Sequence, residues 1–347
     1  MKLKAIILRN EEDQDHLLWV KACKDNCDSI EYRIVNLIEN NWLEEIQKCT
    51  FDILLAKPGG FTAPLKQVYD ERVYILVNVL HYNIFPSIEE IYIYENKRFL
   101  SYWLKANDIP HPETIVSYNR EEAYNYAETI LYPIVAKTNI GASGSGVRVL
   151  YNIEDAHKYI KSSFSTGSPK RIGPNLVRGN LFRRGLFYFR HPSEISRKLK
   201  KYYVLSTDKQ VGFIIFQEYI EHDFEWRVVR IGNSYFAHKK IKVGDKASGA
   251  LKKDYVKPPF ALLDMVKVIT DQHQFYSLAI DIFESEKGFL VNEMQCIFGQ
   301  SDDYQMLVNN IPGRYIFKNE EWIFEEGSFN KNESYNLRVK WVIERYS

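Results

Sequence analysis

The first residues whose types and spacing could do chemistry begin at Lys137. An apolar run, Ile134 to Ala136, ends on this lysine, and Gly141, Ser143, Gly144, Ser145 and Gly146 follow before a second β-branched run, Val147 to Val149. The pattern predicts strand, glycine-serine loop, strand. Backbone N–H groups in such a loop can turn inward around an anion, and glycine allows close approach. Lys137 at the mouth would add a point charge suited to phosphate. A plain hairpin turn with a surface lysine has the same local composition. Two better-known phosphate loops are excluded by context. A Walker A loop ends in Gly-Lys-Ser/Thr and opens a helix, whereas here the lysine precedes the glycines. A dinucleotide fingerprint runs directly from strand to helix, whereas here the next helical pattern waits until Ile153 to Ile160.

A second group is acidic. Ser277 to Phe283 and Gly288 to Gln295 read as two hairpin strands, with Asp281 on the first and Glu293 and Gln295 on one face of the second. Carboxylates from adjacent strands beside a neutral oxygen suit Mg²⁺; the plainer alternative is strand-end acids in surface ion pairs. Lys97 opens a helix, where the macrodipole disfavours a cation, so it is either a ligand contact or a solvated side chain. The fourth group is basic: Lys170 to Lys201 holds ten lysines and arginines, Arg183 and Arg184 among them, against the single acid Glu194, with aromatic residues interleaved. It could cover an acidic or phosphorylated acceptor, or form a solvated insertion.

The elements that must position these groups follow from periodicity. Residues 1–95 alternate strand and helix (strands at Leu3 to Leu8, Glu31 to Leu37 and Phe51 to Ala56), which predicts a small parallel α/β domain. Phe99, Leu100, Trp103 and Leu104 have helical spacing, stopped by Asn107, Asp108 and Pro110. Residues 96–212 then form a lobe with the glycine loop and the basic insertion. In 213–310, Phe213 to Ile220 is a strand, and Glu225 to Ile241 reads as a hairpin turning on Gly232-Asn233, with Arg227 on one strand and His238 and Lys240 on the other. Residues 311–347 read as a small appendage: Tyr315 to Phe317 and Trp322 to Phe324 as strands, Leu337 to Ile343 as strand or helix, with no chemistry of their own.

Composition bounds the class. The chain has 347 residues, enough for two or three domains, and its 45% hydrophobic and 26% charged content is globular rather than disordered. A net charge of +1 gives no general attraction to nucleic acid or membrane. No apolar run reaches the roughly 20 residues of a membrane helix. Four scattered cysteines, Cys23, Cys27, Cys49 and Cys296, read as reduced thiols rather than a metal site. These features predict a cytoplasmic protein, and leave a homo-oligomer open.

In this order, the pieces resemble the ATP-grasp superfamily, and within it the carboxylate–amine ligases. The matching stretches are Asn96-Lys97 before Ile109 to Pro112, Val135 to Lys137 with Gly141 to Gly146, Gln217 to Ile220, Arg227, Lys240, Ile280 to Ile282, and Asn292-Glu293-Met294-Gln295. The resemblance spans about residues 85–300. It implies an ATP-grasp fold behind a Rossmann-like N-terminal domain, with ATP and two Mg²⁺ ions as cofactors. Lys97 and Lys137 would contact the phosphates beneath the Gly141–Gly146 loop. Gln217, Glu218, Tyr219 and Ile220 would hold adenine, and Glu225 or Asp223 the ribose. Arg227 and Lys240 would neutralise the γ-phosphate and an acyl phosphate, and Asp281, Glu293 and Gln295 would bind metal. Three departures put the substrate in doubt: Gln295 stands where the family has Asn, the basic insertion is unusually long, and the last 50 residues match nothing in the pattern. The implied reaction joins an unidentified carboxylate to an unidentified amine, forming ADP and phosphate. A kinase of the same fold acting on a small polyol, a ligase acting on a peptide or protein, and a nucleotide-binding module without catalysis are the alternatives.

Overall fold

The computed structural model describes residues 1–60, 62–141, 146–167, 195, 199, 203–243, 246–247, 252–300 and 302–347. Ser143, Gly144, Ser145 and nearly all of the basic insertion lie outside them.

Four strands, β1 (Leu3–Arg9), β2 (Ile30–Asn36), β3 (Ile53–Ala56) and β4 (Ile84–Phe85), form an all-parallel sheet in the order β2-β1-β3-β4. Helices α1 (Leu17–Asp25), α2 (Trp42–Gln47), α3 (Ala63–Tyr74) and α4 (Ile88–Ile93) follow the strands in turn. The inner strands of a parallel sheet are covered on both faces, which is why β1 and β3 read as largely apolar runs, whereas the edge strand β2 carries Glu31 and Arg33. The two-residue period divides β1 accordingly. Ile6 and Leu8 pack with Ile46 and Tyr69, while Leu3, Ala5 and Ile7 join Trp19 and Cys23 on the other side. The expected α/β domain is therefore present.

A second sheet is antiparallel, in the order β5-β8-β6-β7: β5 (Thr114–Ser117), β6 (Ile134–Lys137), β7 (Val147–Leu150) and β8 (Ile214–Glu218). Helix α5 (Lys97–Ala106) leads into it, and α6 (Arg120–Thr129) and α7 (Ile153–Ser163) cover it through Ala123, Ala127, Ala156 and Ile160. Both covering helices start on asparagine caps, Asn119 and Asn152, whose side chains accept from first-turn N–H groups.

The third sheet carries β9 (Phe224–Ile231), β10 (Ser234–Val243), β11 (Lys246–Ala247), β12 (Lys253–Asp254), β13 (Ser277–Ser285) and β14 (Gly288–Gln295), with α8 (Phe260–Gln272) packed against it. β15 (Leu307–Val308), β16 (Ile311–Lys318) and β17 (Glu321–Glu326) extend it, giving the central order β14-β13-β9-β10-β16-β15. The chain closes with α9 (Tyr335–Tyr346).

This corrects the expected C-terminal appendage. Tyr315 pairs with Tyr235 of β10, so residues after 310 complete the large sheet. Tyr335, Val339 and Val342 of α9 enter the largest core cluster, and the Trp19 and Tyr335 rings meet edge-to-face at 4.8 Å. Arg338 is fully buried and donates from Nε to Ser277 Oγ at the start of β13. Each of these anchors depends on a partner at least 61 positions away in the chain, which local periodicity cannot reveal.

Candidate active site

The site is a row across four adjacent strands. Glu293 of β14 lies opposite Asp281 of β13, Asp281 opposite Arg227 of β9, and Arg227 opposite His238 of β10. Directly opposed residues point to one face of a sheet, so four scattered sequence positions become neighbours. One step along, Glu225 opposes Lys240.

Asp281 is the hub. Arg227 donates to it from two nitrogens, Nε to Oδ1 at 2.8 Å and a terminal nitrogen to Oδ2 at 2.9 Å. Lys240 Nζ donates to Asp281 Oδ2 and to Glu225 Oε2, both at 2.7 Å. Burial alone would raise the Asp281 carboxyl, but Arg227 and Lys240 hold it well below the usual carboxylate range. Burial would likewise pull the Lys240 ammonium down, and Asp281 with Glu225 keeps it above its ordinary value. Glu225, which with Asp223 is a candidate for a ribose, has both oxygens engaged here: Oε2 by Lys240 and Oε1 by Asn292 Nδ2 at 3.1 Å.

The register shifts between Asp281 and Ile282, leaving Asn292 as the extra residue of a bulge in β14. A bulge re-aims side chains. Asn292 and Glu293, which strict alternation would send to opposite faces, both reach the site. Lys137 Nζ, at the end of β6, donates to Asn292 Oδ1 at 2.9 Å and so crosses from the second sheet to the third. Burial pulls the Lys137 ammonium down to about 8, against the attraction of Glu293.

Lys97 arrives from the N-terminus of α5. Its ammonium donates to the Gly141 carbonyl at 3.0 Å and lies 3.9 Å from Glu95 and 3.8 Å from Glu293. Gln295 turns its amide nitrogen toward both acids, 3.3 Å from Glu95 and 3.4 Å from Glu293. Sequence reasoning missed Glu95 and gave Asn292 no role. Asn292 stood inside a quoted motif, but only the bulge exposes it. Glu95 carried no signal beyond standing two residues before Lys97.

The root of the glycine loop is clamped. Thr138 N–H donates to the Gly146 carbonyl at 2.9 Å, and Gln210 both accepts from the Ile140 N–H at 3.0 Å and donates to its carbonyl at 2.8 Å. A Cβ on Gly146 would stand 1.8 Å from Thr138 Oγ1. Gly146→Ala should therefore displace the residue next to Lys137 and weaken nucleotide binding, on the overpacking scale of about 1–3 kcal/mol. Calorimetric titration with ATP checks this; unchanged affinity would show that the loop root tolerates the shift.

The predicted adenine-binding residues lie at the end of β8. Gln217 donates to Thr114 Oγ1 at 3.1 Å, Glu218 pairs with Lys287, and Tyr219 Oη accepts from Lys242 at 3.0 Å. Ile220 joins Phe283 and Leu290 in a small apolar cluster.

The three sheets in this order match the ATP-grasp fold of solved structures. A family profile described as carbamoyl-phosphate synthase L chain, ATP binding domain, matches residues 98–173. The alpha-aminoadipate–LysW ligase LysX of Saccharolobus solfataricus is 24% identical over 231 residues, covering 66% of this chain and 71% of that one. Among solved structures, the D-alanine–D-alanine ligase of Bacillus anthracis complexed with ATP has a TM-score of 0.56 at 12% identity, covering 99% of this chain and 96% of that one. The RimK domain protein ATP-grasp from Sphaerobacter thermophilus has a TM-score of 0.53 at 14% identity, covering 84% and 90%.

Proposed function

We propose that the protein is an ADP-forming ligase that activates a carboxylate with Mg-ATP and joins it to an amine. The observation that carries this reading is the convergence of Lys97 and Lys137 on the row Glu293, Asp281, Arg227. The fold and the similarity to LysX support it.

A free carboxylate is a poor acyl donor because oxide would have to leave. Transfer of the γ-phosphoryl group to a carboxylate oxygen forms an O–P bond and releases ADP. The amine nitrogen then attacks the acyl carbon, a C–N bond forms, the C–O bond to phosphate breaks, and the nitrogen gives up its proton. On this reading Lys97 and Lys137 would hold phosphate oxygens, and Arg227, on the same side, would offset developing charge. The glycine loop, by closing, would keep water from the acyl phosphate. Glu293 and the Gln295 amide oxygen are hard donors, and Asp281 would join them by giving up a bond from Arg227 or Lys240, a donor chemistry that fits Mg²⁺. Among the described residues no three His, Cys, Asp or Glu side chains group into a metal site, so phosphate oxygens and water would complete the coordination. Bound there, the metal would neutralise phosphate charge.

Lys137→Ala should weaken ATP binding by about 1–3 kcal/mol, the scale of a charge-assisted hydrogen bond. The pH dependence has a definite sign. The folded Lys137 loses its proton near pH 8 and the unfolded one near 10.5, so the unfolded chain binds more protons between these values and this group's contribution to stability rises with pH there. Phosphate binding moves the other way, since only the ammonium pairs with an anion, and that ammonium is disfavoured by burial and Lys97 and favoured by Glu293, Glu225 and Asp281. ATP affinity should fall above pH 8 in the native protein and stay level in Lys137→Arg, measured by calorimetry. The overall reading is tested by phosphate release with ATP and Mg²⁺ across amino acids, sugar acids and peptides. Release of inorganic phosphate with an amide product supports it, and label from the γ-phosphate retained on a product would instead make the protein a kinase.

A further inference from the structure

Glu95 is a buried acid that the proposed reaction leaves unused. It is 5% exposed, and its Oε2 makes no hydrogen bond. Its backbone sits at φ 51°, a left-handed conformation that non-glycine residues seldom adopt. Gly60 packs against it so closely that a Cβ there would stand 3.2 Å from Glu95 Cβ. The fold thus maintains an uncommon backbone geometry and a desolvated carboxylate at one point. That point is shared with Glu293: Gln295 Nε2 lies between the two acids, and the Lys97 ammonium stands 3.9 Å from one and 3.8 Å from the other while donating its hydrogen bond elsewhere, to Gly141. Asp281, by contrast, has both oxygens taken by Arg227 and Lys240.

We propose that Glu95 is a cation ligand, forming with Glu293 a two-carboxylate seat that the Lys97 ammonium fills in the free protein and a divalent metal takes when the lysine turns to phosphate. This rests on the Mg-ATP reading and adds to it a residue from the segment joining the first two sheets. Mg²⁺ sites commonly use one or two carboxylates and leave the rest of the shell to phosphate and water. Gln295 also gains a reason: its amide reaches Glu95 as well as Glu293.

The test uses the full chain with Mn²⁺ as probe, free Mn²⁺ being read by electron paramagnetic resonance with and without ADP. Glu95→Gln keeps the shape and the acceptor for Gln295, and circular dichroism with a urea midpoint verifies its fold. Glu95→Gln and Glu293→Gln are each expected to weaken Mn²⁺ binding by about tenfold or more. Lys97→Met should tighten Mn²⁺ binding without ADP, and adding Glu95→Gln should cancel that gain. Weakening in Glu293→Gln alone would overturn the proposal and leave the Mg-ATP reading standing, with Glu95 only a counter-ion for Lys97. Unchanged Mn²⁺ binding in both single variants would overturn the metal assignment itself.

Discussion

Asp281→Ala is expected to destabilise the fold by about 3–5 kcal/mol, the cost of removing one partner from a buried ion pair. The magnitude follows from what is stranded. Asp281 is 2% exposed and accepts two bonds from Arg227 and one from Lys240. Lys240 would keep Glu225, but the Arg227 guanidinium, with only 14% of its side chain accessible, would lose its carboxylate. Urea unfolding measures the effect, and a loss below about 1 kcal/mol, the ceiling of an ordinary surface pair, would mean that water enters the row and the network is not structural.

Glu293→Gln should do the opposite: leave the urea midpoint nearly unchanged and reduce ATP-dependent phosphate release by about 100-fold or more, the upper range for losing a group that orients a metal. Glu293 is the more exposed of the two opposed acids, with 29% of its side chain accessible against 2% for Asp281, and its contacts with Lys97 and Gln295 are longer than those of Asp281. On the proposed reading the pair divides the work, one acid fixing the row and the other facing what would bind to it. Full turnover in Glu293→Gln would remove it from the reaction, and a large stability loss would show that the two acids are not separable.

Much of this was legible because it depends on local periods. The alternation of β9 and β10 about Gly232-Asn233 put Arg227, His238 and Lys240 on facing strands, and the Lys137 hairpin was set by its glycines. What escaped depends on irregularity or distance. Asn292 faces the site only because one residue bulges out of β14. Glu95 is aimed by a left-handed backbone and a glycine 35 positions earlier in the chain. Arg338 and Ser277 meet across 61 positions, so the last helix looked detachable when it is part of the central packing.

The seating of α9 also bears on how the chain is made. A ribosome releases residues 1–95 first, and the parallel sheet could form early, but the core face of α1 would then lie open. Trp19 is completely buried in the finished protein, partly by Tyr335, and Asp25 pairs with Lys331 and accepts bonds from Asn332 and Asn336. The first domain therefore waits, with an apolar face uncovered, through synthesis of about 250 further residues. At about 5–20 residues per second that is a delay of roughly 13–50 seconds, long enough for a chaperone to be the natural temporary partner of that face.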